Sequence, residues 1–125
     1  MEKIKELYVI LETRAKALGE LLEILSKNKI NIETIGVFGD SAKLLVNNIE
    51  KTKKLLEKNN YVVEIRDVLR AELENKPGEL AYLTSRLGHV GINIDYLYSS
   101  IRHGDKTAIV ILDVDDIETA LSLFR

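Results

Sequence analysis

An internal repeat is the feature that most constrains how this chain can fold. Residues 11–35 align with residues 73–97 at an offset of 62 without a gap, and eight of the 25 aligned positions are identical. A later block, residues 46–50, aligns with residues 114–118 at an offset of 68, so the second copy has six extra residues between the two blocks. A repeat this short pairs with its neighbour to complete a core. The identical pairs are Leu11/Leu73, Glu12/Glu74, Leu18/Leu80, Leu21/Leu83, Leu25/Leu87, Ile30/Ile92, Asn31/Asn93 and Ile32/Ile94.

Each copy predicts a strand, a helix, two strands and a second helix. The opening strands alternate, and the first helices carry leucines at the spacing of one buried stripe. Ala108 to Leu112 is continuously apolar, which is typical of a central strand that is buried on both faces. The alternating residues are Leu7, Val9 and Leu11 in copy one and Leu69, Ala71 and Leu73 in copy two; the helix leucines are Leu18, Leu21, Leu22 and Leu25, and Leu80, Leu83 and Leu87.

The two copies differ at their ends. A further strand, Tyr61 to Ile65, follows copy one and runs into the opening strand of copy two, whereas copy two stops at Arg125 without such a strand. The strand Val68 to Leu73 is then unpaired on one side, and unpaired edges recruit partners. We therefore expect another chain, or the other copy, to fill this edge, and we expect a homo-oligomer, most simply a dimer. The predicted boundaries are residues 4–66 and 67–125.

Composition narrows the class of protein. The 125 residues include no cysteine, which removes disulfides and thiolate metal sites. Eighteen Lys and Arg against 20 Asp and Glu give a net charge of −2, which disfavours a nucleic-acid partner. The chain has neither a signal-peptide pattern nor an apolar run long enough for a membrane span. We expect a cytoplasmic protein without a membrane partner.

The acidic residues near the second helix of copy two are interpreted as a helix start. Asn47-x-x-Glu50 and Asp115-x-x-Glu118 match the capping-box pattern in the two copies. Asp113, Asp115, Asp116 and Glu118 resemble a metal cluster, but copy one has Asn47 and Asn48 where copy two has Asp115 and Asp116. Either Asn or Asp can cap a helix, whereas a hard cation requires the negative charge of the Asp carboxylate. We therefore favour the cap.

No catalytic or metal-binding constellation stands out. His89 lies at a predicted helix end, and His103 lies in the turn of residues 102–106; two isolated histidines do not make a metal site. Ser99 and Ser100 have no nearby base in the sequence. We predict no catalytic residues, no metal and no cofactor.

The sharpest local motif is Glu74-Asn75-Lys76-Pro77-Gly78-Glu79-Leu80, between a strand and a helix. Pro77 suits the first helical turn, and Gly78 lets a ligand approach the backbone. The free N–H groups of Gly78, Glu79 and Leu80 would form an anion site at the positive end of the helix. Asn75 adds a donor and an acceptor. The alternative is that the motif merely starts a helix.

Residues 72–100 resemble the ACT domain, the ferredoxin-like regulatory module of amino-acid metabolism. The resemblance rests on the Asn-x-Pro-Gly-x-Leu loop, the spaced leucines and the Gly-Ile-Asn-Ile strand, and copy one resembles a degraded version. It implies an α+β fold of two ferredoxin-like βαββαβ units, with antiparallel sheets and helices on one face, the second unit lacking its last strand. ACT domains pair side by side and bind an amino acid at the shared interface.

The resemblance also implies the ligand-binding residues. They are the loop residues Asn75, Lys76, Pro77, Gly78, Glu79 and Leu80, together with Asn93 and its copy-one equivalent Asn31. In copy one the loop Thr13 to Lys16 has neither the proline nor the glycine. We therefore expect one good site per chain, built from the copy-two loop and from Asn31 reaching across from copy one.

The sequence leaves three hypotheses for the function of the chain. The leading hypothesis is a free-standing sensor that binds a small amino acid between ACT units and transmits occupancy through its assembly or a partner. The second is a regulatory or scaffolding subunit of an amino-acid biosynthetic enzyme that acts by protein docking without its own ligand. The third, a small ferredoxin-like enzyme, is the weakest, because no acid, base and nucleophile converge in the sequence.

Overall fold

The computed structural model describes residues 1–101 and 104–124 and has the predicted α+β fold. Arg102 and His103, within the predicted turn of residues 102–106, lie outside the described residues. In chain order the elements are β1 (Glu2–Ile10), α1 (Ala17–Lys27), β2 (Ile32–Phe38), β3 (Ser41–Val46), α2 (Ile49–Lys58), β4 (Val63–Glu74), α3 (Glu79–His89), β5 (Ile94–Ser100), β6 (Thr107–Val114) and α4 (Ile117–Leu123). They form two compact units.

The first unit consists of Lys5–Arg66. Its strands lie in the order β2-β3-β1-β4, and β3 pairs antiparallel with both β2 and β1. The predicted alternation is confirmed, since Leu7, Val9 and Leu11 are buried against Leu21 and Leu25 of α1. A fully buried leucine side chain contributes about 2–3 kcal/mol. The repeated leucines therefore account for the packing of the helix on the sheet.

The second unit consists of Met1–Ile4 and Asp67–Arg125. Its strands lie in the order β1-β4-β6-β5, and β6 pairs antiparallel with β4 and β5. Leu83 and Leu87 of α3 are buried against Leu69 and Leu112 of the sheet. The apolar segment predicted to be a central strand is β6, which lies between two neighbouring strands.

The N-terminal residues take the place of the missing last strand of the second unit. Met1 packs against that unit's core, the Glu2 carboxylate lies 3.2 Å from the Arg70 guanidinium, and Lys3 Nζ lies 3.6 Å from Glu118. Because β4 has β1 on one side and β6 on the other, the edge left by the missing strand is filled within the chain, by the opening strand of the other copy, which is one of the two predicted outcomes. An unpaired edge of this strand therefore no longer predicts that the chain associates with a second copy.

The predicted caps are wrong by one residue. Asn48 caps α2 by accepting from Lys51 N at 3.3 Å, and Asp116 caps α4 by accepting from Thr119 N at 3.1 Å. The Thr119 side chain and, after it, this bond from the Thr119 N–H lower the pKa of Asp116. Two adjacent Asn or Asp residues each fit the capping pattern, and only the backbone geometry selects the second.

The open sheet face of the first unit, on the side away from its helices, is covered in part by cations of the same unit. The Arg66 guanidinium lies 3.7 Å from the centroid of the Tyr8 ring. Lys43 Nζ lies 4.9 Å from the Tyr8 centroid and 4.8 Å from that of Phe38. The apolar Tyr8 on this face is thus packed by cation–π contacts, whereas Ile10 beside it stays 44% exposed.

The second residue after the first helix of each unit has the left-handed backbone conformation. Lys29 has φ of 57°, and its repeat equivalent Gly91 has φ of 81°. Glycine adopts this conformation without the steric cost that a Cβ imposes. The left-handed conformation therefore costs the first unit some conformational free energy at Lys29, whereas it costs the second unit little at Gly91.

We predict opposite effects for two substitutions at these equivalent positions. Lys29→Gly should raise the free energy of unfolding by about 0.5–1 kcal/mol, and Gly91→Ala should lower it by about 1 kcal/mol. A Cβ at Gly91 would meet no atom within 4 Å, so the loss would come from the backbone alone. Urea unfolding measures both; a loss of stability in Lys29→Gly would contradict the explanation.

Candidate functional site

The predicted loop of the second unit is tied to the turn that enters β6. The Asn75 N–H donates to Lys106 O at 2.9 Å, and Asn75 Nδ2 donates to Asp105 O at 2.9 Å. The side-chain donor of Asn75 is therefore engaged by the protein itself. Its Oδ1 is the atom left to meet a ligand.

Gly78 gives the loop its shape. It is the N-cap residue of α3 and has φ of 93°, a left-handed conformation that favours glycine. A Cβ at this position would meet no atom within 4 Å, so the backbone here is open to solvent. The equivalent Lys16 caps α1 with φ of −93°, so the two loops differ in conformation as well as in sequence.

Two details of the loop differ from the prediction. Pro77 is not in the first helical turn, because α3 begins at Glu79 and Pro77 belongs to the preceding turn. The Glu79 N–H donates to Lys76 O at 3.5 Å, so one of the three N–H groups expected to be free has a protein acceptor.

Lys76 is held by the acidic residues on either side of it. Its Nζ lies 2.9 Å from the Glu74 carboxylate and 3.6 Å from that of Glu79. The hydrogen bond to Glu74 raises the pKa of Lys76, and the charges of Glu74 and Glu79 add to the effect. The loop therefore presents a paired cation.

Asn93 and Asn31 lie at the start of the second strand of their units. The Asn93 N–H donates to the Asp115 carboxylate at 3.0 Å, and the Asn31 N–H donates to Asn47 Oδ1 at 3.0 Å. Asp115 and Asn47, which were expected to cap helices, instead fix these strand starts.

Asn75 and Asn93 lie at opposite ends of β6. Asn75 is bonded to Lys106, just before β6, and Asn93 to Asp115, just after it. The eight residues of β6 span roughly 23 Å. One small ligand therefore cannot contact Asn75 and Asn93 of the same unit. Leu80 is half-exposed on α3, and Asn31 belongs to the first unit.

A cavity that the sequence did not indicate lies in the first unit. It has a volume of about 580 Å³ and is lined by the loop from β1 to α1, by one side of α1, and by residues 59–62 between α2 and β4. We call it the first-unit cleft. Its lining residues are Ile10, Leu11, Glu12, Arg14, Ala17, Glu20, Glu23, Ile24, Lys27, Asn59, Asn60, Tyr61 and Val62.

Arg14 is held between two carboxylates of the cleft. Its Nη1 and Nη2 donate to the two oxygens of Glu20 at 3.0 and 2.6 Å, and its Nε donates to Glu12 at 2.6 Å. The fork of donors on arginine fits this bidentate geometry. The bond from Arg14 lowers the pKa of Glu20, and the bonds to Glu20 and Glu12 raise the pKa of Arg14.

The charges of Glu20, Arg14 and Glu12 also act on the hydroxyl of Tyr61. Burial raises the pKa of Tyr61, and the negative charge of Glu20 raises it further. The phenol therefore stays neutral at physiological pH. Sequence reasoning missed the cleft because Arg14, Glu20 and Tyr61 belong to three segments that meet only in the folded unit.

No group of three or more histidine, aspartate or glutamate residues within 1–101 and 104–124 is arranged to hold a metal ion. The Nδ1 atom of His89 lies 2.8 Å from Ser85 O, near the end of α3, as its position predicts. No helix formed by those same residues is long and apolar enough to span a membrane.

A match to a family profile identifies the family of the chain. The profile of the ACT domain pair matches residues 2–123, and the chain belongs to that family. The α+β fold of tandem ferredoxin-like units that the resemblance implies is thereby confirmed. No curated protein sequence matches the chain.

Solved structures share the architecture. Protein BT0572 from Bacteroides thetaiotaomicron superposes with a TM-score of 0.86 at 28% identity, over 98% of this chain and 86% of that one. The regulatory subunit of aspartate kinase from Thermus thermophilus gives 0.68 at 15% identity, over 99% and 95%. E. coli aspartokinase III in complex with lysine and aspartate gives 0.61 at 15% identity, over 98% of this chain and 30% of that one. The last two likenesses show the fold alone.

The hydrogen bonds from Arg14 to Glu12 and Glu20, which we call the Arg14 clamp, give a testable prediction. Arg14→Met removes the donors that stabilise ionised Glu20, so the pKa of Glu20 should rise toward its ordinary value of 4.5. Because folding depresses this pKa, Glu20 stabilises the fold above about pH 4.5, and this contribution is lost as the pH falls through the depressed value. NMR titration of the Glu20 carboxyl carbon measures the shift.

The matched variant for this test is Arg14→Lys, which keeps the charge and loses the bidentate geometry. It should give a pKa for Glu20 between those of the wild type and Arg14→Met. An unchanged Glu20 in both variants would show that the clamp does not form in solution.

Proposed function

We propose that the chain is a regulatory ACT pair that binds a small amino acid and transmits its occupancy to other subunits or to a partner enzyme. The observation that carries the proposal is membership of the ACT domain pair family combined with an intact Asn-x-Pro-Gly loop in the second unit. A regulatory rather than catalytic role agrees with the kind of proteins that share the fold.

The second-unit loop has the chemistry for a zwitterion. The N-terminus of α3 carries partial positive charge, and Gly78 leaves space above the backbone for a carboxylate. Lys76 is already paired with Glu74 and Glu79, so the N-terminus of α3 is the feature that favours the carboxylate. Asn75 Oδ1 can accept from an ammonium group. These features support the loop as the place where the amino acid binds.

The second half of the site is a proposal from the family resemblance. Asn93 is too far from the loop of its own unit, so it can contribute only to a ligand held by another copy of the loop. Asn31 is the other candidate for this role, as the sequence predicted. In a homodimer the loop and a strand start from different units would share one ligand.

The class of ligand is supported by the solved relatives. E. coli aspartokinase III was solved with lysine and aspartate, and two Thermus structures are regulatory subunits of aspartate kinase. We infer that an amino acid is the ligand class for this chain. A ligand at a subunit contact shifts an equilibrium only by its difference in affinity for the two states, which makes assembly a natural output.

The docking-subunit alternative is favoured by one observation. Ile10, Phe38 and Val62 of the first unit are 44%, 44% and 65% exposed. Large exposed apolar side chains in one region are typical of protein interaction surfaces. Under this alternative a partner enzyme binds the first unit and no amino acid is required.

A thermal-shift screen of the full chain against the twenty amino acids tests the proposal. A ligand at a hundred times its dissociation constant should add about 2.7 kcal/mol of stability. Gly78→Val should abolish the shift, because a β-branched residue is strained at φ of 93° and covers the backbone.

The control for this substitution is Lys16→Val, at the equivalent position of the first unit, which should leave the shift intact. Asn75→Ala, which keeps Gly78, should weaken binding. If no amino acid stabilises the chain and a stoichiometric enzyme co-purifies with it, the docking alternative is correct.

A further inference from the structure

The extra residues of the second copy lie beside the proposed amino-acid loop. Two residues, 39–40, join β2 to β3, whereas six residues, 101–106, join β5 to β6. The strand β6 has eight residues and β3 has six. The insertion found in the sequence is therefore a longer connection into β6 and a longer strand. The last part of this connection, residues 104–106, is called the β6 entry below.

Asn75 holds the β6 entry through two consecutive carbonyl groups. Its N–H donates to Lys106 O at 2.9 Å, and its Nδ2 donates to Asp105 O at 2.9 Å. In the first unit the equivalent of Asn75 is Thr13, which has no amide group. The Leu11 N–H donates there to Asp40 O at 2.7 Å, so a backbone group holds that connection. The side-chain amide at this position thus distinguishes the second unit from the first.

The bond to Asp105 determines the orientation of the Asn75 amide. A backbone carbonyl can only accept, so the NH₂ group of Asn75 faces Asp105 O, and Oδ1 takes the other position of the amide. The Oδ1 atom can accept from the ammonium group of an amino acid and cannot donate to its carboxylate. The β6 entry therefore determines which end of an amino acid Asn75 can bind.

The two hydrogen bonds of one amide strengthen each other. When an ammonium donates to Oδ1, it polarises the amide, and Nδ2 becomes a stronger donor to Asp105 O. The effect is reciprocal, because a β6 entry that is held more firmly raises the affinity of the loop by the same factor. We propose that Asn75 couples amino-acid occupancy of the loop to the β6 entry. The proposal rests on the proposed function, since it requires an amino acid at the loop.

The β6 entry lies where another protein can contact it. Gly104 and Lys106 are exposed, and Ile101, earlier in the same connection, is 52% exposed. Thr107, which follows the β6 entry, pairs with Glu74 at the base of the loop. A change in the hydrogen bonding of the β6 entry is therefore accessible at the surface to another subunit or to a partner enzyme.

NMR titration of the ¹⁵N-labelled full chain with glycine and with acetate tests the proposal. Both probes carry a carboxylate, and only glycine carries an ammonium, so both should shift the backbone amides of Gly78 and Leu80. Glycine alone should move the Asn75 side-chain amide protons downfield and shift the amides of Asp105 and Lys106, with the same midpoint as Gly78.

The outcomes separate this proposal from the proposed function. Glycine binding at Gly78 and Leu80 without a response at Asn75 and the β6 entry would overturn the coupling and leave the loop site intact. An equal response of the β6 entry to acetate would also overturn it, because acetate has no ammonium. If glycine shifts no amide of the loop, the proposed site is wrong, and the coupling is overturned with it.

Two matched variants test whether the signal passes through the Asn75 amide. Asn75→Asp keeps an acceptor and removes the Nδ2 donor, so saturating glycine should still shift Gly78 while the response of Asp105 and Lys106 is lost. Asn28→Asp is the control, because Asn28 Nδ2 donates to Ile24 O at 2.8 Å in the first unit, and it should keep both responses.

Two results with Asn75→Asp would contradict the proposal. A response of the β6 entry that persists in this variant would show that the coupling bypasses the amide. Loss of glycine binding at Gly78 would show that the donor of Asn75, rather than its acceptor, holds the amino acid.

Discussion

Two strands that each contribute to both units are the constraint on which the rest of the structure depends. β1 supplies residues up to Ile4 to the second unit and the remainder to the first, and β4 supplies residues up to Arg66 to the first unit and the remainder to the second. β4 is 12 residues long, about twice the usual length of a strand. Two four-stranded units are thus built from six strands.

This sharing explains why the second unit needs no last strand of its own. The N-terminal residues lie beside β4 and are fixed by Glu2 with Arg70 and Lys3 with Glu118, which are exposed pairs of modest energy. The greater contribution comes from strand pairing and from Met1 against the core. A unit whose terminal strand lies more than 60 residues away in sequence must close a long loop before it is complete.

The two repeats keep one backbone and differ in their surface chemistry. Lys29 and Gly91 share a left-handed conformation, while Lys16 and Gly78 do not. The second unit keeps a loop that is open to a ligand, and the first has a cleft with paired charges. Both units have the leucine core, whose packing tolerates little change in volume, and they differ in their loops, where such change is tolerated.

Much of this could be predicted from the sequence, because periodic burial leaves a periodic pattern. Leu7, Leu21 and Leu83 are buried as their spacing indicates, and β6 is central as its apolar run indicates. The helix starts were misplaced by one or two residues, since Asn47 and Asn48 fit the same cap pattern. The role of Met1–Ile4 and the first-unit cleft could not be predicted, because both depend on segments that are distant in the chain.

Native-state hydrogen exchange at Lys3 and Ile4 tests the shared-strand account most directly. If β1 completes the second unit, amides in this segment that pair with β4 are protected at least about a hundredfold and exchange together with residues 67–74. Exchange of every amide in residues 2–4 at the rate of an unstructured tail, while residues 67–74 stay protected, would contradict it.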